Sequence, residues 1–221
     1  MKFVISKYKE DISWVEGISS YIIYNKDESD IREEYVNIPN IGREAHTYLY
    51  HIINNYDRLD DMTCFLQGNP FDHLMIPLSD IENIYIDGYL PIGRVETCDI
   101  NGGPQNPYLE MDEVFFSKYF LNKPHTINYA VGAQFIVSRD TILNRSKEFY
   151  ESILKDFERT DIPENMSILF GKDVDPHAFE YFEKHGNTNR MPWLLERVWG
   201  IIFDKNYKTI FDKDYKTVYD V

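Results

Sequence analysis

Asn40-Ile41-Gly42-Arg43 precedes a segment whose apolar residues recur at helical spacing, so an arginine stands at the mouth of a helix. A helix N-terminus presents unpaired backbone N–H groups and the positive end of its dipole, which favour an anion, and a glycine there lets the anion come close. Arg43 adds a fixed charge. The plainer alternative is that Asn40 caps the helix and Arg43 pairs with a surface acid such as Glu44 or Asp57. About twenty positions later Met62–Gln67, MTCFLQ, is a continuous apolar run that stops at Gly68-Asn69-Pro70. In an open α/β sheet ligands bind beyond the carboxyl ends of the strands, so Gln67, Gly68 and Asn69 are expected beside Arg43 and beside the end of the first strand.

The elements that must position these groups are legible in outline. KFVIS at the start and YIIYN at 21–25 are short strand candidates, and the stretch between them suits a helical turn with Trp14 and Val15 inward. Ala45, Tyr48, Leu49, Ile52, Ile53 and Tyr56 fall on one face of a helix over 42–56. Strand, helix, strand in this order predicts a parallel α/β core. Residues 68–113, with the loop NGGPQNP at 101–107, read as irregular. YAVGAQFIVS at 129–138 reads as one further strand, and Phe149, Tyr150, Ile153 and Leu154 mark a helix after it. Pro192 suits the first turn of a last helix, buried through Leu194, Leu195, Val198, Trp199 and Ile202. The tail carries DKNYKTIF and DKDYKTVY, a tandem near-repeat too short for a solenoid.

Composition excludes some classes. The 221 residues bound one sizeable core, expected over 1–203, with 204–221 as a tail packed on it or extended. A formal net charge of −14, with 23 Lys+Arg spread among 37 Asp+Glu, leaves no basic patch for nucleic acid. Cys64 and Cys98, the two cysteines, read as free thiols of a reducing compartment. The apolar start is too short for a signal peptide and no later run has the length of a membrane span, so a cytoplasmic protein is the expectation.

Asn40-x-Gly42-Arg43, a helix, and then Phe65-Leu66-Gln67-Gly68-Asn69 resembles the nucleotide-sugar half of the GT-A glycosyltransferases. The longer wording, GREAHTYLYHIINNYD with FLQGNPFDH, GAQFIVSRDTI and LLERVWGIIF, is similar to a small GT-A-like family with bacterial, fungal and large-virus members, over residues 2 to 203. The resemblance implies a single GT-A-like, Rossmann-related α/β domain with a mostly parallel central sheet flanked by helices. It implies transfer of a sugar from a nucleotide-diphosphate donor to a hydroxyl of a glycan or other acceptor.

On that likeness Ser6, Lys7 and Tyr8, at the end of the first strand, meet the base and ribose, and Asn40, Gly42, Arg43, Gln67, Gly68 and Asn69 complete the donor side. Gly132, Ala133 and Gln134 resemble the Gly-rich strand bordering the sugar, with Arg197 on the acceptor side; the alternative is that Gly132 marks a bulge and Gln134 pairs with backbone. Glu196, between Trp193 and Trp199, resembles the acid that deprotonates or contacts the acceptor hydroxyl. Burial in a partly apolar crevice would raise its pKa toward a useful range. Its alternative is a surface glutamate paired with Arg190 or Arg197. Inversion would use Glu196 as base, and retention would need other chemistry.

One departure bears on the cofactor. GT-A enzymes hold Mg²⁺ or Mn²⁺ with an Asp-x-Asp, and this chain has Gln67-Gly68-Asn69, whose neutral amides are poor ligands for hard cations. Asp72 and His73 are the replacement pair on offer, although a His after a turn is more commonly a packing residue. Asp173-x-Asp175 precedes Pro176 and reads as a loop or cap. His46 and His51 lie five apart on one helix and do not share a face. A noncatalytic nucleotide-sugar binding module is the alternative function, and a metal-dependent hydrolase using Asp72, His73 and nearby histidines is a third.

Overall fold

The structure is a computed structural model that describes residues 1–99, 115–158, 191–209 and 211. The loop at 101–107, Asp173, Asp175, Arg190 and the second copy of the near-repeat lie outside the described residues.

A six-stranded sheet forms the centre, in the order β3-β2-β1-β4-β8-β5. Strands β1 (Lys2–Lys7), β2 (Tyr21–Asn25), β3 (Val36–Asn37) and β4 (Met62–Gln67) run parallel, whereas β8 (Phe135–Ser138) is antiparallel to β4 and to β5 (Tyr89–Pro91). The continuous apolar runs of β1 and β4 follow from this position, because both faces of the central strands are covered. Val4, Phe65, Phe135 and Val137 face one core with helices α1 (Arg43–Asn55), α4 (Lys147–Glu158) and α5 (Met191–Phe203). Phe3, Ile5, Cys64, Leu66 and Ile136 face the other, beneath the 3-10 turn Ser13–Gly17 and the short α2 (Leu78–Ile81). The architecture is thus mixed α/β with a mostly parallel sheet flanked by helices.

Helix α1 buries Ala45, Tyr48, Leu49, Ile52 and Ile53 as its spacing predicts, each large side chain contributing roughly 1.5–3 kcal/mol. It ends in the 3-10 turn Tyr56–Arg58. Its two histidines are both buried: His51 Nδ1 lies 2.9 Å from the Tyr24 hydroxyl, and the His46 ring stacks near Tyr50. On α5 Leu194, Leu195, Val198, Trp199 and Ile202 form the expected buried stripe. Buried Arg145, after α3 (Arg139–Leu143), donates to the carbonyls of Ile202, Asp204 and Tyr207, which serves carbonyls that the helix end leaves unpaired. The start of the tail packs on the domain, where Leu121 N–H donates to Lys208 O and Phe120 bridges Thr209. Cys64 and Cys98 are free and buried.

Two expectations are corrected. YAVGAQFIVS is not one strand: β7 (Thr126–Ala130) pairs with β6 (Val95–Asp99) in a separate ribbon, and β8 joins the main sheet. The break is local, since Gly132 at φ 79 and Ala133 at φ 52 are both left-handed and cannot continue a strand. The middle region is less irregular than its composition suggests, supplying α2, β5 and β6. These pieces are short and depend on partners distant in sequence.

Candidate functional site

The sheet turns its order at β1, which has β2 on one side and β4 on the other. The carboxyl ends of β1 and β4 lie side by side, with Ser6 in register with Gln67, at the point where the chain's connections leave to opposite sides of the sheet. Ser6 Oγ lies 2.8 Å from Thr47 Oγ1, which ties the end of β1 to the first turns of α1.

The turn into α1 is strained. Gly42, at φ 61, occupies the N-cap and Arg43 follows at φ 50, a left-handed conformation that costs a non-glycine residue about 1–2 kcal/mol. Lys26, 3 % exposed at the end of β2, holds it by donating from Nζ to the carbonyls of Ile41 and Arg43, each at 2.5 Å. Burial pulls this lysine down to about 7, against the charge of Glu44. The guanidinium of Arg43 then lies over the Trp193 ring of α5, 4.7 Å from its centroid.

One turn beyond Trp193, Glu196 Oε1 accepts the Gly132 N–H at 2.6 Å. A Cβ on Gly132 would sit 2.6 Å from His73 Cδ2, so the left-handed turn between β7 and β8 is closed against the loop after β4. Arg43, Trp193, Glu196, Gly132 and His73 thus meet from four separate stretches of chain. Burial raises the Glu196 carboxyl, while the Gly132 N–H, Arg197, Arg43 and His73 oppose that rise. Glu44, half-buried in the first turn of α1, is pushed up to about 7 by burial. Its own backbone N–H opposes the shift, the Glu196 charge adds to it, and Arg43 and Lys26 lower it. Beside the start of α1 the Trp193-stacked guanidinium of the exposed Arg43, the Glu196 carboxylate bonded to Gly132 and the Glu44 carboxyl thus lie within one another's electrostatic reach.

Other sequence-predicted residues stand elsewhere. Lys7 is buried and turned toward β2, in an ion pair with Asp30 at 2.9 Å and near Asn25 Oδ1 at 3.3 Å; Lys26 is the lysine beside Arg43. Tyr8 is exposed under Lys9. Asn40 is exposed and does not cap α1, whose N-cap is Gly42 without a side-chain bond. Arg43 is exposed, and among the described residues its side-chain contact is the Trp193 ring rather than Glu44 or Asp57. Gly68 is covered: its carbonyl accepts Trp14 Nε1 at 2.9 Å, and a Cβ there would meet Glu10 Oε2 at 2.6 Å. Gln134 is fully buried and donates to Pro70 O at 2.9 Å, so it anchors the loop rather than facing the crevice. Ala133 is buried in the turn, and Arg197 is buried 5.8 Å from the Tyr129 ring centroid.

The donor set at the end of β4 does not fit a hard divalent cation. Gln67 and Asn69 are amides, Asp72 accepts Asn69 Nδ2 at 3.0 Å, and the His73 ring is turned onto Gly132.

Lys26 carries no signal that singles it out in the sequence, and Glu44 stands out there as a surface partner for Arg43 and not as a group of the site. The strand-end rule applied to Ser6 and Lys7 reaches Lys26 after YIIYN only once β2 is known to pair with β1.

The family model described as protein of unknown function (DUF3431) matches residues 3–80 and 99–218. The chain belongs to the DUF3431 family. The first matched stretch carries Lys26, Arg43, Glu44 and His73 of the DUF3431 chain, and the second carries Gly132, Trp193 and Glu196. No curated protein and no solved structure matches it. No helix among the described residues is long and apolar enough to cross a membrane.

Proposed function

We propose that this DUF3431 protein is a GT-A-like glycosyltransferase that moves a sugar from a nucleoside diphosphate to a hydroxyl acceptor. The observation that carries the reading is the Glu196–Gly132 contact opposite the Trp193-stacked Arg43, at the switch point of a mostly parallel sheet. Arg43 and the N–H groups of α1 hold the diphosphate, where preorganised donors stabilise charge as it develops. Glu196 takes the proton of the acceptor hydroxyl while its oxygen bonds to the anomeric carbon. The bond from that carbon to the diphosphate oxygen breaks, and the diphosphate leaves with the electron pair. This assignment describes inversion.

A thermal-shift screen of nucleoside diphosphate sugars tests it, because a ligand of the native state raises the melting temperature. Arg43→Ala is expected to abolish the shift. Glu196→Gln is expected to keep the shift and lose both transfer and slow donor hydrolysis. Wild-type binding and turnover in both purified variants would overturn the assignment.

The end of β4 favours a second reading, a noncatalytic nucleotide-sugar binding module, because the carboxylate there is paired with an amide. Donor binding without transfer or hydrolysis, whatever the acceptor, would support it.

A further inference from the structure

The loop after β4 turns an aromatic ring into solvent beside the Gly132 turn. Phe71 is 54 % exposed, whereas Gly68 and Pro70 before it are buried. A single apolar side chain in water is ordinary on a protein surface, but one held in place by buried groups is not. The loop is fixed from below, since Pro70 O accepts the backbone N–H groups of His73 and Leu74 at 3.3 and 3.1 Å and Nε2 of the fully buried Gln134 at 2.9 Å. The ring is fixed from the side. Trp14, half-buried in the turn Ser13–Gly17, donates from Nε1 to Gly68 O at 2.9 Å and meets Phe71 edge to face, with centroids 5.8 Å apart at 80°. Such a pair leaves at least one face of the phenyl ring clear of its partner.

The surroundings of that face are polar. Asn69 and Asp72, both exposed, flank Phe71 with an amide and a carboxylate joined at 3.0 Å. Two residues on, His73 packs its ring against Gly132, the residue whose N–H binds Glu196. A protein partner calls for an apolar core of many residues with a polar rim, and here the exposed neighbours along the loop are already polar. A flat apolar face edged by hydrogen-bonding groups instead complements a pyranose, which has a face of C–H bonds and a rim of hydroxyls.

We propose that Phe71 is the stacking platform of an acceptor subsite, on which a pyranose of a saccharide lies with its hydroxyls toward Asp72 and Asn69. The inference rests on the proposed sugar transfer and gives its acceptor a chemical class. Trp14 and Gln134 are positioning residues, because they hold the ring and the loop without touching the sugar. A platform fixed before binding loses little freedom when the sugar arrives, so one stacking contact counts for more.

The test uses the full chain on a glycan array, without nucleotide, followed by calorimetry with the saccharide bound most tightly. Binding is expected to weaken at least about tenfold in Phe71→Ala and to stay near wild type in Phe71→Tyr, which keeps the ring. The indole N–H resonance of Trp14, assigned from Trp14→Phe, is expected to move with the saccharide in wild type and to stay still in Phe71→Ala. Phe71→Leu, also without a ring, repeats the measurement should the alanine variant fail to fold. Equal affinity in Phe71→Ala and wild type, or no saccharide bound by wild type, overturns the subsite. Self-association of wild type that Phe71→Ala abolishes assigns the ring to a second copy of the chain and also overturns it. Melting shifts with nucleoside diphosphate sugars, read on the same samples, separate this inference from the proposed function. A nucleotide-sugar shift without saccharide binding strikes the subsite and leaves the donor site, and saccharide binding at Phe71 without any such shift supports the saccharide site and removes the transfer.

Discussion

Glu196 on the last helix accepts the backbone N–H of Gly132 at 2.6 Å, although 64 positions separate them. The bond requires a tight turn at 131–134, and that turn requires glycine twice over: φ is 79, and the space for a Cβ is filled by His73. Gly132→Ala is therefore expected to destabilise the protein by about 1–3 kcal/mol, read from the urea midpoint at unchanged slope. Adding His73→Ala relieves the steric part and leaves the left-handed penalty.

Arg43 is left-handed where glycine would be unstrained. Arg43→Gly is expected to be more stable than Arg43→Ala by about 1 kcal/mol, although both lose the diphosphate. Chemical unfolding and thermal shift with UDP, measured on the two variants side by side, check the two halves of this statement. Equal stabilities would mean that the turn relaxes once the guanidinium leaves Trp193.

Lys26→Met keeps the length of the side chain and removes both bonds to Ile41 O and Arg43 O. Two carbonyls lose their partner, and the expected cost is on the order of 1–3 kcal/mol, together with weaker UDP binding as the turn loosens. Unfolding in urea and calorimetry report the two effects separately.

His51 and His46 both weaken the fold in acid. Burial lowers the His51 pKa to about 4, so between 6.5 and 4 the unfolded chain binds the proton first, and stability present above 6.5 is lost as pH falls through that window. The full loss is on the order of 3 kcal/mol for this residue. His46, lowered to about 3 by burial, adds in the same direction over a window that also opens at 6.5 and extends down to about 3. His51→Gln is expected to reduce the slope of the urea midpoint between pH 7 and 4.5 by about half, the remainder coming from His46, and an unchanged slope against pH would assign the acid sensitivity elsewhere.

Glu44 works with the opposite sign. Its folded pKa, pushed up to about 7, lies above the unfolded value, so the stability it contributes is present in acid and lost as pH rises from 4.5 through 7. Glu44→Gln is expected to be more stable than wild type at pH 8 and to match it at pH 4.5. Thermal melts at the two pH values decide this without any ligand.

Features that depend on neighbours along the chain are written in the order of the residues. Helices α1 and α5 have three-and-four apolar spacing, β1 and β4 are apolar runs covered on both faces, and the order strand, helix, strand makes the pairing parallel. Arg43 stands out at the mouth of such an element, whereas Glu196, in the interior of α5, is singled out by the resemblance alone. Tertiary structure decided which charges share a space. Lys7 and Lys26 follow equivalent strands, and only the packing of α1 against β2 turns Lys26 toward the Gly42–Arg43 turn while Asp30 holds Lys7 away. The split of YAVGAQFIVS into two strands, and the closure of Gly132 between His73 and Glu196, likewise arise from contacts between residues far apart in sequence. Periodicity reports the face a residue turns to the core, whereas the pKa of a carboxyl and the reach of a guanidinium depend on groups that only folding brings near.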